Sequence, residues 1–136
     1  MKQKRAYTYR IYPTDEQRTI LARTFGCCRF VYNWALRQKA DAYYQNQQRL
    51  YYKDLSEMLT RLKKHDEYSW LSEVSSVPLQ QALRHLDKAF INFFEGRAAY
   101  PKFKKKCHQQ SATYTSNAFI WREGRLTLAK MHEPLA

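Results

Sequence analysis

Lys102, Lys104, Lys105 and Lys106 fall within five residues, beside the rings of Tyr100 and Phe103, and no acid occurs from Ala98 to Gln110. A protein core cannot take four ammonium groups without carboxylate partners, so this stretch faces water or a polyanion. Phosphate is the polyanion chemistry such a run suits. Each neutralised phosphate releases counterions and adds salt-dependent affinity, and aromatic rings among cations give unpaired bases a surface to stack on.

Reading a sequence of bases needs polar side chains held on a helix or strand. Three places offer them. Gln80 lies in the first turn of a helix, next to Ser75 and Ser76, and a glutamine can meet adenine through two hydrogen bonds. Thr115, Ser116 and Asn117 lie where a strand reaches the surface. Asn33 sits near the apolar stripe of a long helix, where packing or a local hydrogen bond suits it better than base contact.

No set of residues forms a catalytic centre. Metal-dependent phosphodiester cleavage needs carboxylates converging on two ions, whereas Asp54, Glu57, Asp15 and Glu16 read as helix-surface charges and Asp66 and Glu67 as a polar connector. The phosphate loop G-x-x-x-x-G-K-[ST] does not occur. Of the three cysteines, Cys27 and Cys28 are adjacent, without zinc-type spacing, and read as buried thiols. Cys107 and His108 are neighbours with no companion ligand nearby. The expectation is no metal, no cofactor and no enzymatic activity.

The chain has 136 residues, 44% hydrophobic and 15% aromatic, with a formal charge of +12. One ordinary domain or two small ones fit that length, and the charge favours a nucleic acid partner. It is unevenly spread. Residues 1–50 carry ten bases and three acids, 51–95 six and seven, and 96–136 eight and two. Two basic ends flank a balanced middle, and together they would make one positive face. No apolar run approaches the roughly 20 residues that span a bilayer, and the N-terminus has no signal-peptide core. A cytoplasmic protein without membrane contact is expected.

The elements that must position these groups follow from periodicity. Residues 5–12 alternate and predict a strand ended by Pro13. Thr14 reads as an N-cap with Gln17 at the third helical position. The helix that follows fades near Asn46, its stripe running through Ile20, Leu21, Phe25, Cys28, Val31, Tyr32, Ala35 and Leu36. Gly26 interrupts it, as a close-packing point or a bend. A second helix is expected over 53–64, then a connector anchored by Trp70 and Leu71. A third begins near Val77–Pro78, with Leu79, Ala82, Leu83, Leu86, Phe90 and Phe94 inward, and ends by Gly96. Residues 112–121 and 125–129 predict strands joined by a hairpin at Arg122–Gly124. The first strand, lacking a local partner, should pair with the late ones. The fold class is α+β: a mostly helical bundle inserted into an incomplete sheet.

Five stretches in order, YTYRIYPTDEQ, TFGCCRFVYNWAL, SWLSEV, LQQAL…LDKAFINFF and YPKFKKK, closely resemble the N-terminal part of the TnpB family. These proteins accompany IS200/IS605 transposons, and older descriptions call this part a helix-turn-helix domain. The resemblance implies an RNA-guided DNA endonuclease with a wedge-type β barrel, a helical recognition domain inserted in it, and a downstream RuvC-like nuclease with a zinc ribbon. Residues 1–12 and 99–136 would then be wedge and 13–98 recognition domain. The implied DNA readers are Tyr52, Ser56, Ser76, Val77, Gln80, Thr115 and Ser116, with Lys4, Arg5, Arg10, Lys102, Lys104, Lys105 and Lys106 on nucleic acid backbone. Ser76 and Val77 depart from the lysine and larger ring found in relatives. The partners implied are DNA and a transposon-derived guide RNA. Because the nuclease acids lie downstream in the family, the chain reads as a truncated, nucleic-acid-binding fragment. Two other readings remain: a regulatory partner docking on a full-length nuclease, and a stand-alone helix-turn-helix DNA-binding protein.

Overall fold

The computed structural model describes residues 6–106 and 109–136. Lys4, Arg5, Cys107 and His108 lie outside them.

Three helices form the core. Helix α1 spans Asp15–Asn46. Thr14 and Gln17 form the expected reciprocal cap, the Gln17 amide N–H donating to Thr14 Oγ1 (3.2 Å) and the Thr14 N–H to Gln17 Oε1 (2.9 Å). Helix α2 spans Tyr52–Leu62, and Asp54 accepts the Tyr51 N–H at 3.0 Å. A 3-10 segment, Asp66–Glu73, leads into α3, Ser76–Phe94. The Ser75 side chain caps α3, so Pro78 stands at the third helical position rather than the first. The cost is the same, because amide groups throughout the first turn have no helical partner.

The core is built from Cys27, Val31, Ala35 and Leu36 of α1, Leu55 and Leu59 of α2, Leu71 of the connector, and Leu79, Leu83, Leu86 and Phe90 of α3. Arg23 lies 3.9 Å from Glu73, and Lys39 lies 3.7 Å from Asp87. α3 therefore runs in the same direction as α1. Ile20, Leu21 and Phe25 are only partly buried, and Phe94 is 65% exposed. Trp70 is also open to solvent, resting edge-on against Phe30 while Leu71 makes the buried anchor. A Cβ on Gly26 would meet nothing within 4 Å, so no neighbouring helix requires that glycine.

After α3 the chain returns along α1. Lys104 is tied to Asn33, Ala112 packs on the core, and Tyr114 joins Ile20 and Leu21 in a small second cluster with Leu128, Met131 and Leu135. The Gln17 amide then donates to the carbonyls of Glu133 (3.0 Å) and Pro134 (3.1 Å). We call residues 104–106 and 109–114 the strap.

The predicted sheet is smaller in the structure. Among the described residues it has two antiparallel strands, β1 (Phe119–Arg122) and β2 (Arg125–Leu128). The hairpin turn is where the sequence places it, with positive φ at Glu123 (51°) and Gly124 (74°), as a two-residue primed turn requires. Residues 112–118 do not extend β1; Ser116–Ala118 is a 3-10 turn. The strand expected over 5–12 is not formed across its described residues. The tail takes the place it would need. The Leu135 N–H bonds to the Leu126 carbonyl at 2.7 Å, and residue 136 accepts the Tyr12 N–H at 2.9 Å. Tyr7, Tyr9 and Tyr12 stay exposed, Tyr9 beside Trp121 at 6.0 Å. Across the described residues the fold is α+β, mostly helical, with one hairpin.

Candidate nucleic-acid interface

Two constellations carry the polar chemistry. The first joins α2 and α3. Tyr52 and Ser56 are one turn apart on α2 and share a face. Both hydroxyls donate to Gln80 Oε1, each at 2.9 Å. The Arg84 guanidinium, one turn beyond Gln80 on α3, lies over the Tyr52 ring at 4.1 Å. Leu55 and Leu59 of α2, with Leu79 and Leu83 of α3, are fully buried beneath, so the polar side chains stand on a rigid base. Ser76 and Val77 occupy the first turn of α3. Ser76 is exposed, Val77 is half-buried, and the Val77 N–H is held by Ser75 Oγ at 3.3 Å.

Thr115 and Ser116 stand apart from this cluster, at the turn before β1. The Thr115 hydroxyl bonds to the Asn117 side chain. What links the two regions is the strap: Ser111, Ala112 and Thr113 line a narrow cleft together with Pro78 and Ala82 of α3.

The second constellation holds the lysine run. The Asn33 side-chain amide donates to the Lys104 carbonyl at 2.9 Å, and its oxygen accepts the Lys104 N–H at 2.7 Å. Both polar atoms of Asn33 are thus used on backbone, as the sequence favoured, although the partner is 71 residues away rather than local. Lys104 Nζ lies over the Tyr32 ring at 4.3 Å. Lys102, Lys104, Lys105 and Lys106 are exposed, as is Arg10 near the other chain end. The two basic segments do not meet at one point: the lysine run is tied to α1 at Asn33, and Arg10 lies in the extended lead before that helix. Arg10 precedes Asp15, and Lys104 sits at Asn33, about 27 Å further along a helix rising 1.5 Å per residue.

The ionisable groups of the interior are quiet. Burial pushes the Cys28 thiol up to about 12, with Cys27 adding to the effect. Cys27 is raised by burial first and then by Glu73. Neither is a nucleophile or thiolate ligand at neutral pH. His85, beside the strap, is held below its ordinary range by burial, then by Lys104 and Lys88. Among the described residues, no group of three or more His, Cys, Asp or Glu side chains is arranged to hold a metal. No helix there is long and apolar enough to cross a membrane.

Sequence reasoning missed Arg84 and Lys39. Arg84 is four residues from Gln80, a spacing that signals a shared helix face. Lys39 donates to the Leu50 carbonyl and lies 4.8 Å over Phe90. Burial lowers its pKa, against the attraction of Asp87. It closes one wall of an apolar cleft of about 540 Å³ that also includes Tyr43, Tyr44 and Phe94. No sequence signal separates this lysine from a surface one.

Comparison with known proteins agrees with the sequence motifs. A helix-turn-helix domain family of the OrfB/IS605 kind matches residues 1–48. Within that span the described residues form one continuous helix after an extended lead. A Streptomyces pristinaespiralis protein named "Putative RNA-guided DNA endonuclease" is 58% identical over 97% of the chain. Escherichia coli InsQ, which carries the same designation, is 33% identical over 96% of it. The chain spans about a third of the length of both. The virulence protein VsdF of Salmonella dublin is 41% identical over 71% of the chain and 88% of its own length. The chain belongs to the TnpB family of IS200/IS605 transposon proteins and corresponds to its N-terminal part.

Proposed function

We propose that this chain is the nucleic-acid-binding N-terminal portion of an RNA-guided DNA endonuclease, contacting a guide RNA and a short DNA motif beside the target, and that it has no nuclease centre of its own. The observation that carries this reading is the convergence of Tyr52, Ser56 and Gln80. These residues are separated by up to 28 positions, yet they meet in one hydrogen-bonded cluster on a packed two-helix base. With Ser76 and Val77 at the head of α3, they form the DNA-reading part. Thr115 and Ser116 contribute from the hairpin side. Arg10, Lys102, Lys104, Lys105 and Lys106 hold phosphate, with Lys4 and Arg5 extending that set. Residues 1–12 and 99–136 serve as wedge domain and 13–98 as recognition domain.

Gel shifts with transposon-end RNA, a motif-bearing duplex and a scrambled duplex test this. Preferential binding to the RNA supports it. Failure to bind any of the three at moderate salt refutes it. Incubation of the chain with guide RNA, target duplex and magnesium should leave the DNA intact, and guide-dependent nicking would refute the absence of a nuclease centre.

One observation favours a second reading. VsdF aligns with the chain over 88% of its own length, so a protein of about this extent occurs as a separate product. In this reading the chain docks on a full-length nuclease or competes for its guide. Binding only to that nuclease, and not to RNA, would select it. A stand-alone helix-turn-helix factor would instead bind a palindromic duplex tightly. The continuous 32-residue α1 gives that geometry no support.

A further inference from the structure

The Tyr52–Ser56–Gln80 cluster constrains what Gln80 can offer a base. A glutamine amide has an oxygen with two lone pairs and a nitrogen with two donors. Here the oxygen already accepts two hydroxyls, each at 2.9 Å. Its nitrogen has no hydrogen-bond partner among the described residues, and no side-chain nitrogen or oxygen there is both buried and unpartnered. The amide NH₂ is therefore not fully buried, on a residue that is itself half-buried. The two-bond contact with adenine needs one free acceptor and one free donor on the same amide. In this amide orientation both lone pairs are taken and Gln80 can only donate.

Arg84 presents the same chemistry one turn on. A guanidinium has five donors and no acceptor. Its guanidinium carbon lies 4.1 Å from the centre of the Tyr52 ring, a cation–π contact that restrains where the group sits. Residues four apart on a helix have Cβ atoms about 5–6 Å apart, and successive base pairs are about 3.4 Å apart. Two donor groups at that separation fit acceptors on neighbouring base pairs.

We infer that Gln80 and Arg84 form a donor-only reader, positioned by Tyr52 and Ser56, that takes acceptor-rich base edges of duplex DNA, guanine N7 and O6 foremost, and rejects cytosine on the contacted strand. This inference rests on the DNA-binding reading above and adds the chemical class of base and a fourth side chain. The clustered hydroxyls act as positioning groups: they occupy the amide oxygen and leave the nitrogen's donors unused.

The test is enrichment of bound sequences from a randomised duplex pool by the purified chain. Anisotropy then follows on the enriched duplex carrying single-atom base analogues. The wild-type chain should prefer guanine at two adjacent positions. At those positions 7-deazaguanine, which lacks the N7 acceptor, should weaken binding at least 5-fold, and inosine, which keeps N7 and O6, less than 2-fold. Gln80→Glu retains an oxygen for both hydroxyls but loses the amide donors. It should abolish the preference at one position or move it to cytosine. Tyr52→Phe frees one lone pair of Gln80 and should raise adenine relative to guanine at the Gln80 position, a change that a merely structural role would not produce. Arg84→Lys should lose the second preference while keeping the salt dependence.

An adenine preference by wild type that is lost equally on removing N7 or N6 overturns the inference, because that is the two-bond contact. An unchanged preference in Gln80→Glu overturns it as well. Uniform weakening by Arg84→Lys across all sequences makes Arg84 a phosphate contact and removes it from the reader. Nucleic acid binding without any preference that depends on Gln80 sinks this inference alone, whereas no binding to RNA or duplex sinks the broader function with it.

Discussion

Replacing Asn33 with alanine should loosen the strap and separate two roles that the lysine run combines. The Asn33 amide makes two hydrogen bonds to the Lys104 backbone, at 2.9 and 2.7 Å. Net worth is about 1 kcal/mol per bond, and partial exposure lets water replace part of it. The expected loss is about 1–2 kcal/mol. For a chain this long, unfolding entropy of about 2.1 cal/mol/K per residue turns that into a fall in Tm of roughly 3–7 °C. Fixing one residue's backbone costs about 1–2 kcal/mol, so the clamp suffices to order Lys104 and its immediate neighbours, not the whole strap. Released, the lysines keep their charge but must be ordered on binding. Affinity for RNA should drop about 10-fold, since about 1.4 kcal/mol is a factor of ten, with the slope of log K against log salt unchanged. Lys104→Ala should instead lower the slope by about one. Urea denaturation and anisotropy at four salt concentrations measure both quantities. If Asn33→Ala shifts stability by less than about 0.3 kcal/mol, or lowers the salt slope as Lys104→Ala does, the clamp does not position the run as argued.

Four other outcomes follow from the packing. Gly26→Ala should stabilise the protein by about 0.5–1 kcal/mol in urea melts, because a Cβ there meets nothing and the helix interior prefers alanine; destabilisation would reveal a close contact. Leu83→Ala should cost about 2–5 kcal/mol, since Leu83 is fully buried between the helices; a loss under 1 kcal/mol would mean that α3 does not seal the core. Cys28, raised to about 12, should resist iodoacetamide at pH 8 in the native protein and react on unfolding. Rapid native labelling in a peptide-mapped time course would contradict its burial. His85 has a lowered pKa in the fold, so its neutral form belongs to the native state. Its contribution is present above the unfolded pKa, about 6.5, and is lost as pH falls below that through the folded value. Tm should therefore decline from pH 7 to pH 5, and His85→Gln should flatten that decline; an equal decline in both would assign it to other groups.

Local rules made the helices legible. Thr14 and Gln17 sit at the spacing that caps a helix, and the threefold and fourfold recurrence of apolar residues marked the faces of α1 and α3. The hairpin turn was visible because Glu123–Gly124 supplies the left-handed residues that a two-residue turn needs. The positive character of residues 102–106 was equally plain, since uncompensated charge must stay outside any core. The alternating segment before Pro13 misled for a reason of the same kind. Alternation reports a residue's fitness for a sheet, but a strand also needs an edge, and the tail at Leu135 holds the edge at Leu126.

Composition, periodicity and capping are properties of neighbours in the chain, so the sequence determined the helices, the turn and the basic run unaided. Three things belonged to the tertiary structure. Asn33 reaches Lys104 across 71 positions, Gln80 has its oxygen filled by two hydroxyls from another helix, and Arg84 lies over the Tyr52 ring. Each depends on how close two distant segments come, which is set by the packing of the core beneath them and not by spacing along the backbone. What a side chain has left to offer a ligand is known only after its other partners are in place.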